Sequence, residues 1–498
     1  MPSVTIASAI LATALALTAC STPRPGKVRP PGRIAWHDCA QPAVAHLTFA
    51  CGTVKVPLNW ADTSDGKTLD IAVIRARSSE QTRRIGSLLL NPGGPGISGF
   101  DLPAQVARFA PELAKRFDLV SFDPRGVGRS GAIRCRSDAD LDHDFGVDPE
   151  VQSPAALDSV LSSNRTAVTK CVDRYGAALS LYSTTQTARD MDAIRAALGE
   201  DRISYLGFSY GTLLGTVYAE LFPTRIRAMA LDGIVDPHGE RLDDDSEPKN
   251  FERALDNFSA WCGQACAIGP NARATVVEAV RQARVHPVKD RNGREATAGW
   301  VFNAIFWSLY FRASWPSLVT AIEALSHGKP DQILDLADQY AGRDSTGHYD
   351  DVTDARLVID CNDFRDRPSI EQVHSLQVSW HKAYPFFGDF FAMDRLSCAL
   401  WPPARDPVPV GPANGAPPIL VIGTKGDPAT AYENAQPLAT MLGTGTVLTW
   451  EDGNTHTAYL YGIPCITSAV DRYLIDLQTP VRGMTCRTES SPSPTGTR

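Results

Sequence analysis

Ser209, Asp427 and His456 are the residues whose types and order along the chain could build a reactive nucleophile. A serine hydroxyl attacks a carbonyl only when a base takes its proton. An imidazole serves as that base near neutral pH, and a carboxylate behind it fixes the tautomer and stabilises the imidazolium. Ser209 is the centre of Gly207-Phe208-Ser209-Tyr210-Gly211, which follows the apolar run Ile203-Ser204-Tyr205-Leu206 and precedes an apolar stretch of helical character over 212–219. Strand, G-x-S-x-G, helix is the order of a nucleophile elbow, whose tight turn leaves room for almost no side chain two residues either side of the serine. Asp427 closes the loop after the apolar run 418–423, and His456 closes the loop after 446–450, both beyond strand ends, where ligands bind in parallel sheets. Each residue also has a plainer reading: the motif as an ordinary strand-to-helix turn, the histidine as a structural one, and Asp452 as a rival acid. Taken together and in this order they point to acyl transfer.

Nucleophile chemistry of this kind also needs amides to hold the oxyanion. The apolar run Ser87-Leu88-Leu89-Leu90 leads into Asn91-Pro92-Gly93-Gly94-Pro95-Gly96-Ile97-Ser98-Gly99, with four glycines and two prolines in nine residues. In an α/β-hydrolase the loop at this place supplies one oxyanion amide and the residue after the nucleophile the other, which assigns Gly94 and Tyr210. Asp123 and Arg125, after the strand at 117–122, are expected to organise the loop beneath the site rather than to react.

Strands separated by helical patterns over 88–235 predict an α/β fold with a mostly parallel central sheet covered on both faces. In the helix predicted over 184–198, Ala188, Met191, Ile194, Arg195 and Leu198 follow the helical period, with Asp190 and Asp192 outward. From 238 to 405 the rhythm changes to helices, with Phe302, Phe306, Leu309 and Tyr310 at helical spacing, before strands return. The expected organisation is therefore a first core part 36–237, a helical lid 238–405 inserted after the sixth core strand, a second core part 406–487 and a disordered tail 488–498. The aromatic residues Trp300, Phe302, Phe306, Trp307, Tyr310, Phe311 and Trp315 form either the core of that lid or the wall of a substrate channel.

The 498 residues carry a net charge of −8 without a basic block, which argues against nucleic acid as a partner. Residues 1–20 hold an uncharged apolar run ending Leu17-Thr18-Ala19-Cys20, which resembles a lipoprotein signal with Cys20 lipidated; a positive n-region is missing, and residues 21–35 read as a tether. Of eleven cysteines, ten remain after Cys20, and none lies in a C-x-x-C pair. Sequential pairing in an oxidising compartment is the expectation: Cys39 with Cys51, Cys135 with Cys171, Cys262 with Cys266, Cys361 with Cys398, and Cys465 with Cys486. An exported protein facing outward from a bacterial membrane follows. No cofactor and no metal are expected, there being neither H-E-x-x-H nor clustered ligand spacing.

Asn91-Pro92-Gly93-Gly94-Pro95-Gly96, Phe122-Asp123-Pro124-Arg125-Gly126, Gly207-Phe208-Ser209-Tyr210-Gly211-Thr212, Asp427-Pro428-Ala429-Thr430 and His456 together resemble the secreted tripeptidyl aminopeptidases. These are relatives of the proline iminopeptidases among the α/β-hydrolase serine peptidases, close to the mycobacterial-type lipoprotein serine proteases labelled carboxylesterase A. The resemblance runs from about residue 36 to 486. It implies a helical lid and release of short peptides from free N-termini of peptides or proteins. An aminopeptidase must hold a substrate ammonium, for which Asp360 and Asp363 in Val358-Ile359-Asp360-Cys361-Asn362-Asp363 are the candidates, as carboxylates of the lid. For Asp363 a structural role stands equally open; Glu252 and Asp243-Asp244-Asp245 are weaker candidates, the latter reading as a solvated run. A carboxylesterase or lipase is the alternative, and a non-catalytic envelope-binding lipoprotein the remote one.

Overall fold

The computed structural model describes residues 32–488, apart from residues 40, 152, 240–241 and 264–265. The signal segment, Cys20, most of the tether and nearly all of the tail thus lie outside the described residues. In chain order the strands are β1 (His37–Asp38), β2 (Leu47–Pro57), β3 (Thr68–Ser78), β4 (Gly86–Asn91), β5 (Phe117–Phe122), β6 (Ile203–Phe208), β7 (Ile226–Asp232), β8 (Val288–Lys289), β9 (Glu295–Ala296), β10 (Ile419–Thr424), β11 (Gly445–Trp450) and β12 (Met484–Cys486). Ten of these form one sheet in the order β1-β2-β3-β5-β4-β6-β7-β10-β11-β12. Neighbours are antiparallel up to the β3–β5 pair and parallel beyond it. The chain's direction across the sheet reverses between β4 and β6, which opens a crevice at their C-terminal ends.

The central strands read as unbroken apolar runs because both faces are covered. Leu89, Val120, Tyr205 and Val421 pack with the helices Thr184–Leu198 and Tyr210–Leu221. Their neighbours Leu88, Leu90, Leu206, Leu420 and Ile422 pack with the helices Leu102–Phe109 and Pro464–Asp476 on the other face. One inward-outward expectation fails here. Asp190 is completely buried and accepts two hydrogen bonds of 2.7 Å from Arg125 and one of 2.7 Å from Trp60 Nε1. Helical period places a residue on a face; it does not reveal that this face is lined by a guanidinium. Arg125, also fully buried, reaches the carbonyls of Leu58 and Leu181 as well, so a paired charge staples the loop after β5 to the sheet.

Between β7 and β10 run helices that include Ser246–Cys262, Ala298–Tyr310, Trp315–Ser326, Val352–Asp363 and Gly388–Asp394, with a core of their own around Phe251, Phe302, Phe306 and Trp315. Two features cross the boundary expected at 238. Leu141, Val151 and Leu161 from the segment before the elbow pack into this second core, while Ala355 and Ile359 from the helix Val352–Asp363 pack into the first. Among the described residues no helix is long and apolar enough to cross a membrane.

The five sequential cysteine pairs are all disulfides of the structure, and each fastens a different join. Cys39 and Cys51, with Cα atoms 5.3 Å apart, tie the chain just after β1 to the middle of β2, where Cys51 is buried with Ile74 and Phe100. Cys135 and Cys171 link the loop after β5 to the helix Pro154–Tyr175. Cys262 ends the helix Ser246–Cys262 and is bonded to Cys266, half-buried against the second core, with Cα atoms 5.1 Å apart. Cys361 and Cys398 join the helix Val352–Asp363 to the segment after Gly388–Asp394, and Cys465 and Cys486 join the helix Pro464–Asp476 to the edge strand β12.

Candidate active site

β6 ends at Phe208, and the helix Tyr210–Leu221 begins two residues later, which forces Ser209 into φ 54°, ψ −124°. A non-glycine residue in that region costs on the order of 1–3 kcal/mol and persists only where its surroundings fix it. They do: the Ser209 amide donates to the Asp232 carbonyl at 2.9 Å, and the Ser209 carbonyl accepts from the amide and the hydroxyl of Thr212, both at 2.7 Å. The flanking glycines are required by contact. A Cβ on Gly207 would lie 2.4 Å from the Gly211 carbonyl oxygen, and one on Gly211 would lie 2.8 Å from Asn91 Oδ1. The glycine-rich loop after β4 presses onto the elbow from the opposite side, since a Cβ on Gly93 would come within 2.9 Å of Ser209 Cβ.

That loop brings the two expected oxyanion residues to one place. The Gly93 amide donates to Asn91 Oδ1 at 3.0 Å, whereas the Gly94 amide makes no hydrogen bond among the described residues, and Gly94 borders the cavity beside Ser209. Tyr210 is the first residue of its helix, so its amide has no acceptor within the helix and adds the positive end of the helix dipole. Asp123 holds the loop in place beneath: it accepts from Ser98 Oγ at 2.6 Å, the Gly99 amide at 3.0 Å and the Arg129 amide at 2.8 Å. Its role is the organising one expected from sequence.

His456 and Asp427 meet after β11 and β10. His456 Nδ1 lies 3.0 Å from each carboxylate oxygen of Asp427. Asp427, fully buried, also accepts from the amides of Ala429 and Thr430 at 2.9 Å, the Thr430 hydroxyl at 2.9 Å and the Thr457 amide at 3.1 Å. With Nδ1 engaged in this way, Nε2 is the ring nitrogen left for proton transfer. The imidazole sits against the strand next to the elbow, for a Cβ on Gly233 would touch His456 Cε1 at 3.2 Å, and His456 and Ser209 border the same cavity. Burial alone would lower the His456 pKa, but the charge and hydrogen bond of Asp427, with Asp232 behind, hold it above its ordinary value. Asp452, the rival acid, instead accepts from Trp450 Nε1 and the Thr488 amide.

The cavity, of about 680 Å³, lies between the sheet and the helical layer. Its wall includes Trp307, Tyr310 and Phe311, whereas Trp300, Phe306 and Trp315 belong to the second core and Phe302 to both, so the aromatic set divides between channel and core. Of the two expected amine-binding carboxylates, only Asp360 borders it. Asp363 is buried on the far side of the elbow, where it accepts from the Thr184 amide at 2.8 Å and the Thr184 hydroxyl at 2.6 Å, the same hydroxyl that meets the Tyr210 phenol. Helical spacing puts residues 360 and 363 on one side of the helix, but Asp363 is its last residue and is drawn to the start of the helix Thr184–Leu198, out of the cavity. Glu252 accepts from Arg273 and from the amides of Phe386 and Phe387, a structural set. Among the disulfides, Cys361 and Cys398 border the cavity; Cys39, Cys51, Cys135, Cys171, Cys262, Cys266, Cys465 and Cys486 do not, and they serve the fold rather than the site.

Other acids border the cavity besides Asp360, among them Asp244 of the acidic run 243–245 and two that sequence reasoning passed over, Glu247, just after that run, and Asp394. Arg356, whose Nε is 3.5 Å from Asp360, lies among them, and Arg136, Arg367 and Arg395 border the same cavity. Enclosure pushes the Glu247 pKa up to about 8, with Asp394 adding to the rise, and the Asp360 pKa up to about 6. Asp360 keeps 34% of its side chain open, but that opening faces the cavity. The one signal for Glu247 in the sequence was the neighbouring acidic run, which reads more simply as solvated.

Comparison with known proteins agrees with this geometry. The family described as the alpha/beta hydrolase fold matches residues 86–267, and that described as TAP-like protein matches residues 384–486. The chain is 37% identical over 461 residues to serine protease Hip1 of Mycobacterium tuberculosis, covering 88% of this chain and 87% of that one. It is 36% identical over 503 residues to carboxylesterase B of the same organism, covering 94% and 93%. With the tripeptidyl aminopeptidase of Streptomyces lividans it shares 31% identity over 479 residues, covering 93% and 88%.

Proposed function

The chain belongs to the α/β-hydrolase family of tripeptidyl aminopeptidase-like serine hydrolases, and on that premise we propose that it is an exported peptidase releasing short peptides from free N-termini. The observation that carries this reading is one cavity bordered both by Ser209, His456, Gly94 and Tyr210 and by Glu247, Asp360 and Asp394. Ser209 Oγ attacks the scissile carbonyl carbon as His456 Nε2 takes its proton. The oxyanion forms against the amides of Gly94 and Tyr210. Collapse passes the proton from His456 to the leaving amine, and water then repeats the sequence on the acyl-enzyme, with Asp427 balancing the imidazolium throughout. The substrate ammonium is held by the three acids, in a cavity whose wall carries eight acidic side chains against four arginines. Export, with lipid attachment at Cys20, is supported by the five disulfides and by the apolar segment that ends at that cysteine.

Esterase action is the second reading, favoured by the carboxylesterase name of one relative and by a triad that serves esters equally well. Fluorophosphonate labelling of the wild type and its loss in Ser209→Ala test the nucleophile. A tripeptide anilide with a free amine, its blocked counterpart and a short-chain ester then separate the readings. Preference for the free amine supports the peptidase; turnover of the ester alone refutes it.

A further inference from the structure

Asp232 is the last residue of β7, completely buried beside the elbow, and it takes no part in the reaction as set out above. Its two ends face two different parts of the site. The backbone carbonyl accepts the amide of Ser209 at 2.9 Å. Both carboxylate oxygens accept the Ala458 amide at 3.0 Å, and Oδ2 accepts the Tyr459 amide at 2.8 Å. Between His456 and Ala458 stands Thr457 at φ 65°, a β-branched residue in the left-handed region, where such residues are rarely found. Its own amide donates to Asp427 Oδ2 at 3.1 Å. Three successive amides after the imidazole are thus received by two carboxylates, an arrangement that fixes a turn the chain would otherwise leave.

We propose that Asp232 is a positioning residue for the hydrolysis, one that ties the strained nucleophile turn at Ser209 and the strained turn behind His456 to a single strand end and sets a second negative charge beneath the imidazole. The inference rests on the reading of Ser209 and His456 as nucleophile and base. The ionisable groups around His456 are Asp427 and Asp232 on the sheet side, Tyr310 from the helical layer, whose ring lies 5.7 Å away, and Tyr461, which meets Thr455. Arg253 also reaches the Asp427 carbonyl at 3.3 Å. Of these, the two carboxylates raise the His456 pKa. Burial lifts the Asp232 pKa to about 6, while the bonds from Tyr459 and Ala458 and the charge of His456 oppose the rise, so the group is ionised at neutral pH.

The test compares wild type with Asp232→Asn, with active sites titrated and activity expressed per labelled serine. Labelling of the wild type by a fluorophosphonate comes first; without it the reading of the site falls, whatever Asp232 does. Given labelling, Asp232→Asn should lower kcat and the phosphonylation rate constant by roughly 10- to 100-fold, the range for a hydrogen bond to a charged group, and leave KM nearly unchanged. It should also move the acid limb of kcat/KM to lower pH, because one of the charges that raises the His456 pKa is gone. Asp232→Glu keeps the charge, and is the variant to read should the amide fail to fold: it should lower kcat while its acid limb stays at the wild-type position. A wild-type kcat per active site in the folded variant overturns the proposal. So does an acid limb unmoved by Asp232→Asn, or one moved by Asp232→Glu.

Discussion

If Glu247, Asp394 and Asp360 hold the substrate ammonium, KM must depend on pH in a way that their positions dictate. Burial raises Glu247 to about 8, so at pH 6 it is protonated and must lose its proton to pair with the ammonium. The sign follows: a carboxyl with a raised pKa is charged only above that pKa, so amine binding weakens as pH falls. For a single required ionisation near 8, KM for a free-amine peptide should fall roughly twenty-fold between pH 6 and pH 7.5, and above about 8 the loss of the substrate's own proton reverses the trend. The assay is steady-state hydrolysis of a tripeptide anilide, free and N-blocked, across this range. Glu247→Gln should raise KM for the free amine by roughly 10- to 100-fold at pH 7.5 and remove most of the slope, leaving a residual dependence near pH 6 from Asp360. The blocked peptide should show neither effect. Equal pH profiles for the two peptides, together with an unchanged free-amine KM in Glu247→Gln, would refute the reasoning.

Asp427→Asn should reduce kcat by roughly 10⁴-fold with little change in KM, as an amide in that place favours the wrong imidazole tautomer; pre-steady-state acylation measures it. Arg125→Ala should leave Asp190 buried and unpaired and destabilise the fold by about 3–5 kcal/mol, read from the urea midpoint. Replacing Cys361 and Cys398 together by serine opens a link between residues 37 apart and should cost about 4 kcal/mol in the same measurement.

The catalytic side of the site was legible because its requirements are local. A serine at a positive φ demands small neighbours, and a glycine-rich loop is needed where amides approach the elbow. The apolar runs of β4, β6, β7, β10 and β11 say that both faces of the sheet are covered, so the loops at their ends share one rim. Those demands write themselves into consecutive residues and into the order serine, aspartate, histidine.

The proposed amine-binding side and the supporting carboxylates could not be read in this way. Asp360 and Asp363 stand three residues apart on one helix, yet one opens onto the cavity and the other is buried behind Tyr210. Glu247 and Asp394 are nearly 150 residues apart in the chain and share a wall only because the helical layer folds back over the sheet. Asp190 and Asp232 sit in segments whose periodicity says helix or strand and nothing about the partner across the interface. A chemical role carried by backbone geometry is encoded in neighbouring residues. One carried by burial and by which charges face each other exists only once distant segments have packed, since the same carboxylate is a solvated surface group, an ion-pair partner or an ammonium ligand according to what closes around it.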